Sequence, residues 1–154
     1  MIHIKNILLP TDFSEPTSDA ANYAVEFARR FGSTLHLLHV IEDPMLYVPM
    51  FDSSPMPSKE EFETFAKTRL DEWLLPEGAD ECEIVRNFHH GNPFVEVIRY
   101  AKSQKVDLIV MGTHGRGLAT HLLMGSVAEK VVRKAHCPVL TVRPSDHRFV
   151  HPTI

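Results

Sequence analysis

The sequence predicts a doubly wound α/β fold: one five-stranded parallel sheet with helices on both faces, in a single domain. Three observations predict it. Apolar runs of strand length alternate with amphipathic runs of helical length, and proline or glycine punctuates the boundaries. The most apolar run, Asp107-Leu108-Ile109-Val110-Met111, shows no polar alternation, as expected of a strand covered on both faces.

The elements follow in order. Residues 4–9 form a short apolar run closed by Pro10, too short for a helix, and read as a first strand. Over residues 14–31, Ala20, Ala21, Ala24, Val25, Phe27, Ala28 and Phe31 recur at helical spacing, with Gly32 as the stop. Residues 34–41 read as a second strand. Residues 42–58 carry four prolines and three methionines, which neither helix nor strand tolerates, so this is a long loop of the functional or mobile kind.

A second helix follows, with Phe62, Phe65, Ala66, Leu70, Trp73 and Leu74 on one side, ended by Pro76 and Gly78. Residues 81–88 give a third strand, and Asn92-Pro93 opens a third helix over residues 93–103. The strand at 107–111 leads into a glycine-bearing loop, a fourth helix over 126–135 and a last strand over 139–143. Because β-α-β crossovers are right-handed, this order gives a parallel sheet coated on both sides. The domain spans residues 1–144, and residues 145–154 form an irregular tail.

Composition bounds the function. The chain has 154 residues, 44% hydrophobic and 23% charged, with ordinary glycine and proline content, which excludes disordered, collagenous and coiled-coil classes. No apolar run approaches the roughly 18 residues of a membrane span. The N-terminus enters a strand pattern without a leader-like segment, so a soluble cytoplasmic protein is expected. A formal charge of -4 offers no global field for nucleic acid or an anionic membrane. Cys82 and Cys137 lack the spacing of a metal knuckle or redox pair, and the ten histidines form no HExxH pattern and no cluster with carboxylates. No metal site and no catalytic constellation is read from these residues.

In doubly wound sheets ligands bind beyond the carboxyl ends of strands, where neighbouring crossovers leave on opposite faces. Two loops therefore matter, residues 10–14 and residues 112–126. Gly112, Gly115 and Gly117 crowd the second, and Gly125-Ser126 stands at a helix start. Glycine lets backbone amides approach an anion, and a helix N-terminus supplies unpaired N–H groups and a positive dipole end. Ser126 adds a hydroxyl, and Arg116 or His114 a positive charge. The alternative is that the glycines only shape a turn and Ser126 only caps a helix. A Walker A loop is excluded because no Gly-Lys-Ser/Thr occurs here, and GxGxxG is absent after the first strand.

With these residues in view the chain resembles the universal stress protein family in its small single-domain form. The resemblance runs from Ile4 through Pro10-Thr11-Asp12-Phe13-Ser14 to Cys137-Pro138-Val139-Leu140-Thr141-Val142-Arg143. The family's ATP-binding subgroup carries Gly-x2-Gly-x9-Gly-Ser/Thr, which Gly112, Gly115, Gly125 and Ser126 match without a gap.

The resemblance implies a site for ATP, with Mg²⁺ carried by the nucleotide. Pro10, Thr11 and Asp12 would lie near ribose and base, Val40 near the adenine, and Met111 with Gly112 along the nucleotide. Gly115, Arg116, Gly125, Ser126 and Val127 would lie at the phosphates. An Asp12 carboxylate suits ribose hydroxyls, and Val40 with Met111 gives an apolar slot for a purine. The competing role for Asp12 is that of a turn or capping residue beside Ser14, and for Val40 and Met111 plain core packing.

The resemblance also implies strand order 3-2-1-4-5, with Cys82 and Cys137 toward opposite edges, too far apart for a disulfide. The last strand, Val139-Leu140-Thr141-Val142, would then be an uncharged edge, paired with its copy in a homodimer or shielded by the tail. The function expected is a nucleotide-dependent stress-response switch or partner-binding module. A slow nucleotide hydrolase and a structural homodimer without nucleotide are the alternatives. A phospho-acceptor receiver domain fits poorly, since Asp12 stands alone and no acceptor Asp follows the third strand.

Overall fold

The computed structural model describes residues 1–43, 55–113 and 124–144. The elements are β1 (Asn6–Thr11), α1 (Glu15–Phe31), β2 (Thr34–Ile41), α2 (Lys59–Glu72), a 3-10 turn (Ala79–Glu81), β3 (Ile84–His90), α3 (Pro93–Ser103), β4 (Leu108–Gly112), α4 (Ser126–Lys134) and β5 (Val139–Val142). The five strands make one sheet in the order β3-β2-β1-β4-β5, every pairing parallel. This is the doubly wound α/β fold expected.

Strand alternation splits the core in two. Ile7, Leu9, Leu35, Leu37, Leu108 and Val110 face α1 and Leu70 of α2. Leu8, Leu38, Ile109 and Met111 face the opposite way, toward Val97, Tyr100 and Ala101 of α3 and Ala128 and Val131 of α4. A fully enclosed leucine or isoleucine contributes roughly 1.5–3 kcal/mol relative to exposure, so these two layers dominate the stability.

Local sequence sets the helix ends. Gly32 takes φ 63, ψ 39 and its N–H closes on the Ala28 carbonyl, a left-handed cap that a residue with a Cβ would strain. Ser58 and Glu61 form a reciprocal capping box at the start of α2. The Asn92 side chain accepts from the amides of Phe94 and Val95, with Pro93 at the first helical position.

Several boundaries differ from expectation. Pro10 lies inside β1 rather than ending it. The reason is parity. The Lys5 carbonyl accepts from Thr34 on the β2 side and the Asn6 carbonyl from Asp107 on the β4 side, both at 2.8 Å. Even-numbered β1 residues therefore face β4, where the ladder stops at Leu8↔Ile109. Pro10 lacks its N–H on a side with no ladder left to serve, while the β2 ladder runs on to Thr11↔His39. β3 begins later and runs through His89 and His90, because it pairs with β2 as far as Ile41↔His90. β4 runs one residue further, to Gly112, while α4 and β5 each end one residue earlier, at Lys134 and Val142.

On α2 only Ala66 and Leu70 are buried; Phe65 is 57% and Leu74 92% exposed, because Phe65 lies off the face that carries Ala66 and Leu70 and Leu74 follows the helix end at Glu72. Cys82 precedes one edge strand and Cys137 the other, and both are free thiols. The greater part of the long loop, residues 44–54, and the whole tail, residues 145–154, lie outside the described residues.

Candidate functional site at the end of β1 and β4

The β1/β4 boundary is where the chain reverses direction across the sheet. From β1 it steps outward through β2 to β3, and from β4 to β5 on the other side. The connections that follow β1 and β4 also leave on opposite faces, α1 on one and α4 on the other. With the ladder between them ending at Leu8↔Ile109, a crevice opens between the carboxyl ends of the two strands.

One wall is the turn from β1 into α1. Thr11, 5% exposed, accepts the Phe13 amide on Oγ1 at 2.9 Å. Asp12 Oδ1 accepts the Ser14 amide at 3.0 Å, the Thr17 hydroxyl at 2.8 Å and the Ser14 hydroxyl. The resemblance implies that Asp12 meets a ribose; in the fold one carboxylate oxygen organises the first turn of α1, the competing role expected of it, and the N-cap Ser14 makes no side-chain cap of its own.

Phe13 takes φ 62, an uncommon conformation for a bulky residue, held by packing. Its ring lies 4.6 Å from that of His39 and 6.1 Å from that of Trp73, with the Arg69 guanidinium 5.1 Å above it. His39 Nδ1 lies 2.8 Å from the Thr11 carbonyl; the carbonyl can only accept, so Nδ1 carries the proton. Sequence reasoning did not place Phe13 or His39 at this wall. The β2 period puts His39 on the α1 side, but a left-handed phenylalanine leaves no mark in the sequence.

The opposite wall is built from β4 and α4. The Thr113 amide donates to the Val142 carbonyl at 2.9 Å, and the Thr113 carbonyl accepts the Gly125 amide at 2.5 Å. These bonds fix the start of α4 beside the end of β4. Gly125 is the N-cap with φ -69 and ψ 155 and no side-chain cap. The first-turn amides of Ser126, Val127 and Ala128 have no acceptor within the helix, as at any helix start. Ser126 is exposed, Val127 half-buried.

The floor is apolar. Val40, Met124 and Val127 pack onto the α3/α4-side core that contains Met111, which is 5% exposed. Three of the predicted residues, Val40, Met111 and Val127, thus share one cluster, contributed by β2, β4 and α4. Pro10, Thr11, Asp12, Gly112, Gly125 and Ser126 sit at the two strand ends around it. Gly115 and Arg116 lie outside the described residues. Among the described residues no group of three or more His, Cys, Asp or Glu side chains could hold a metal ion.

Beyond Val40, on the edge strand β3, stands a residue that sequence reasoning passed over. His89 pairs in register with Val40 on the neighbouring strand. Its Nδ1 lies 3.1 Å from Oε2 of the buried Glu96, whose Oε1 is held by Arg99. The clue in the sequence was the pair His89-His90, which reads as a loop when the strand is stopped at Phe88.

Fold and crevice together define a class: a doubly wound parallel α/β domain that offers backbone amides and an apolar floor at its topological switch point. Within that class the chain belongs to the universal stress protein family, whose family model matches residues 3–143. Universal stress protein MJ0531 of Methanocaldococcus jannaschii is 34% identical over 146 residues, covering 90% of this chain and 82% of that protein. The structure of MJ0577 from the same organism superposes with a TM-score of 0.71 at 28% identity, over 95% of this chain and all of that one. A universal stress protein crystallised in complex with cAMP shares the fold, with a TM-score of 0.64 at 21% identity over 94% of this chain and all of that one.

Proposed function

We propose that this chain binds ATP, with Mg²⁺ accompanying the triphosphate, and acts as a nucleotide-dependent switch or partner module rather than through chemistry of its own. The observation that carries it is the single cluster of Val40, Met111 and Val127 beside the capless start of α4. An apolar slot next to an array of main-chain donors is what a purine joined to phosphates requires. Val40 and Met111 would enclose the base, with Pro10 and Thr11 at its side. Asp12 would meet the ribose. Gly112 would lie along the nucleotide, and Gly125, Ser126 and Val127 would meet the phosphates, joined by Gly115 of the matching glycine motif and by Arg116. The cAMP bound by a protein of this fold supports an adenine nucleotide as the ligand class.

We further propose that β5 pairs with its copy in a homodimer. It lies at the sheet edge beyond β4 and carries no charged residue across Val139–Val142. Equilibrium dialysis of the full chain against radiolabelled ATP with Mg²⁺ tests the nucleotide assignment. Saturable binding with one nucleotide per chain is expected; no binding at millimolar ATP would overturn it.

A further inference from the structure

We infer that His89, oriented by Glu96, recognises the six-position of the purine and makes the site selective for adenine over hypoxanthine. This rests on the nucleotide assignment above and adds to it the group that reads the base.

One observation sets His89 beside the apolar slot and three fix its ring. It stands beside Val40 in the β2–β3 register, so the two side chains emerge on the same face about 4.8 Å apart, one strand spacing. It is locked from behind. Glu96, 6% exposed, holds Nδ1 through Oε2 at 3.1 Å while Arg99 engages the other oxygen. The ring also meets Tyr100 edge-on, centroids 5.5 Å apart. Finally, Gly91 at φ 137 lets the chain close over Glu96. A Cβ there would come within 3.3 Å of Glu96 Cγ and Oε1.

The chemistry follows from the donor set. A carboxylate only accepts, so Nδ1 carries the proton, and in the neutral ring Nε2 is an acceptor. Among the described residues no side chain or carbonyl engages Nε2, and the side chain is 36% exposed. An acceptor beside the apolar slot matches the six-amino group of adenine, a donor. It opposes the six-carbonyl of hypoxanthine, which is itself an acceptor. A bland alternative is that Glu96 and His89 only fasten α3 to β3.

Competition binding with ATP and inosine triphosphate, which differ only at the six-position and the N1 proton, separates the two. The wild-type chain should prefer ATP by about tenfold, the value of one well-placed hydrogen bond. His89→Ala should bring the ratio near one, through loss of the bond to the six-amino group of ATP and relief of the opposition to the six-carbonyl of inosine triphosphate. His89→Gln, which sets an accepting oxygen near the Nε2 position, should recover part of it. Glu96→Gln, which frees the ring to change tautomer, should lower the ratio without abolishing binding. A wild type that binds both nucleotides equally, or a ratio that survives His89→Ala, overturns this inference and leaves nucleotide binding standing. Failure of the wild type to bind either overturns both.

Discussion

The Gly125 amide donates to the Thr113 carbonyl at 2.5 Å, tying the first residue after β4 to the N-cap of α4. Gly125 makes this bond at φ -69 and ψ 155, a conformation open to every residue type. Backbone freedom is therefore not why glycine stands here, whereas close approach of a ligand to the helix start would be.

Gly125→Val separates those reasons. The chain should stay folded, with stability lowered by about 1 kcal/mol for a poorer N-cap. ATP affinity should drop by at least about tenfold, because branched carbons would cover the donors that phosphate needs. Thermal unfolding and equilibrium dialysis on the same sample check both; unchanged affinity would mean that no phosphate approaches this amide.

The edge of β5 gives a second test. The Pro138 and Val142 carbonyls accept from Ile109 and Thr113 of the β4 side, so even-numbered residues face inward and Val139 and Thr141 turn their amides outward. Thr141→Pro removes an outward N–H without touching the β4 ladder. Light scattering should report a monomer for the variant and a dimer for the wild type, with circular dichroism unchanged. A variant that remains dimeric would move the interface off this edge.

His36 predicts how stability responds to acid. Burial pushes its pKa below the ordinary 6.5, with Glu83 opposing the shift. The ring lies 2.9 Å from the Tyr100 hydroxyl, which also accepts from Asn87 at 2.9 Å, so the hydroxyl proton is directed to Nδ1. The native state thus favours the neutral ring, whereas the unfolded chain takes up a proton near pH 6.5. This contribution is complete above pH 6.5 and is lost as pH falls toward the lowered native value. His36→Leu should flatten the pH dependence of urea unfolding midpoints between pH 7.5 and 5.5. It should also cost about 1–2 kcal/mol at neutral pH, since Tyr100 and Asn87 lose the end of their network. A midpoint that declines as steeply in the variant would assign the acid sensitivity to other groups.

Much of the fold was legible before any coordinates. β2 and α3 coincide with their apolar patterns to the residue, and each start is punctuated, β2 by Gly32 and α3 by Gly91 and Asn92-Pro93. Pro10 was misread as a terminator for a sound local reason. The missing N–H is harmless only when the neighbouring strand has already diverged, and that is a property of β4, a hundred residues away. Phe65 and Leu74 are exposed against expectation because helical spacing sets neither the exact width of the buried face, which leaves out Phe65, nor the residue at which the helix stops, which Leu74 follows.

The sequence alone determined the strand and helix alternation, and the glycine motif carried the expected nucleotide contacts through resemblance. Tertiary structure decided which of those residues meet. Val40, Met111 and Val127 converge because three separate elements deliver them to one side of the sheet. Glu96 came to lie behind His89 only once β3 paired with β2 and α3 folded back across them. Local patterns fix period and ends, since these depend on neighbouring residues. A site assembled from distant segments depends on strand order and register, which are set when the whole core packs at once.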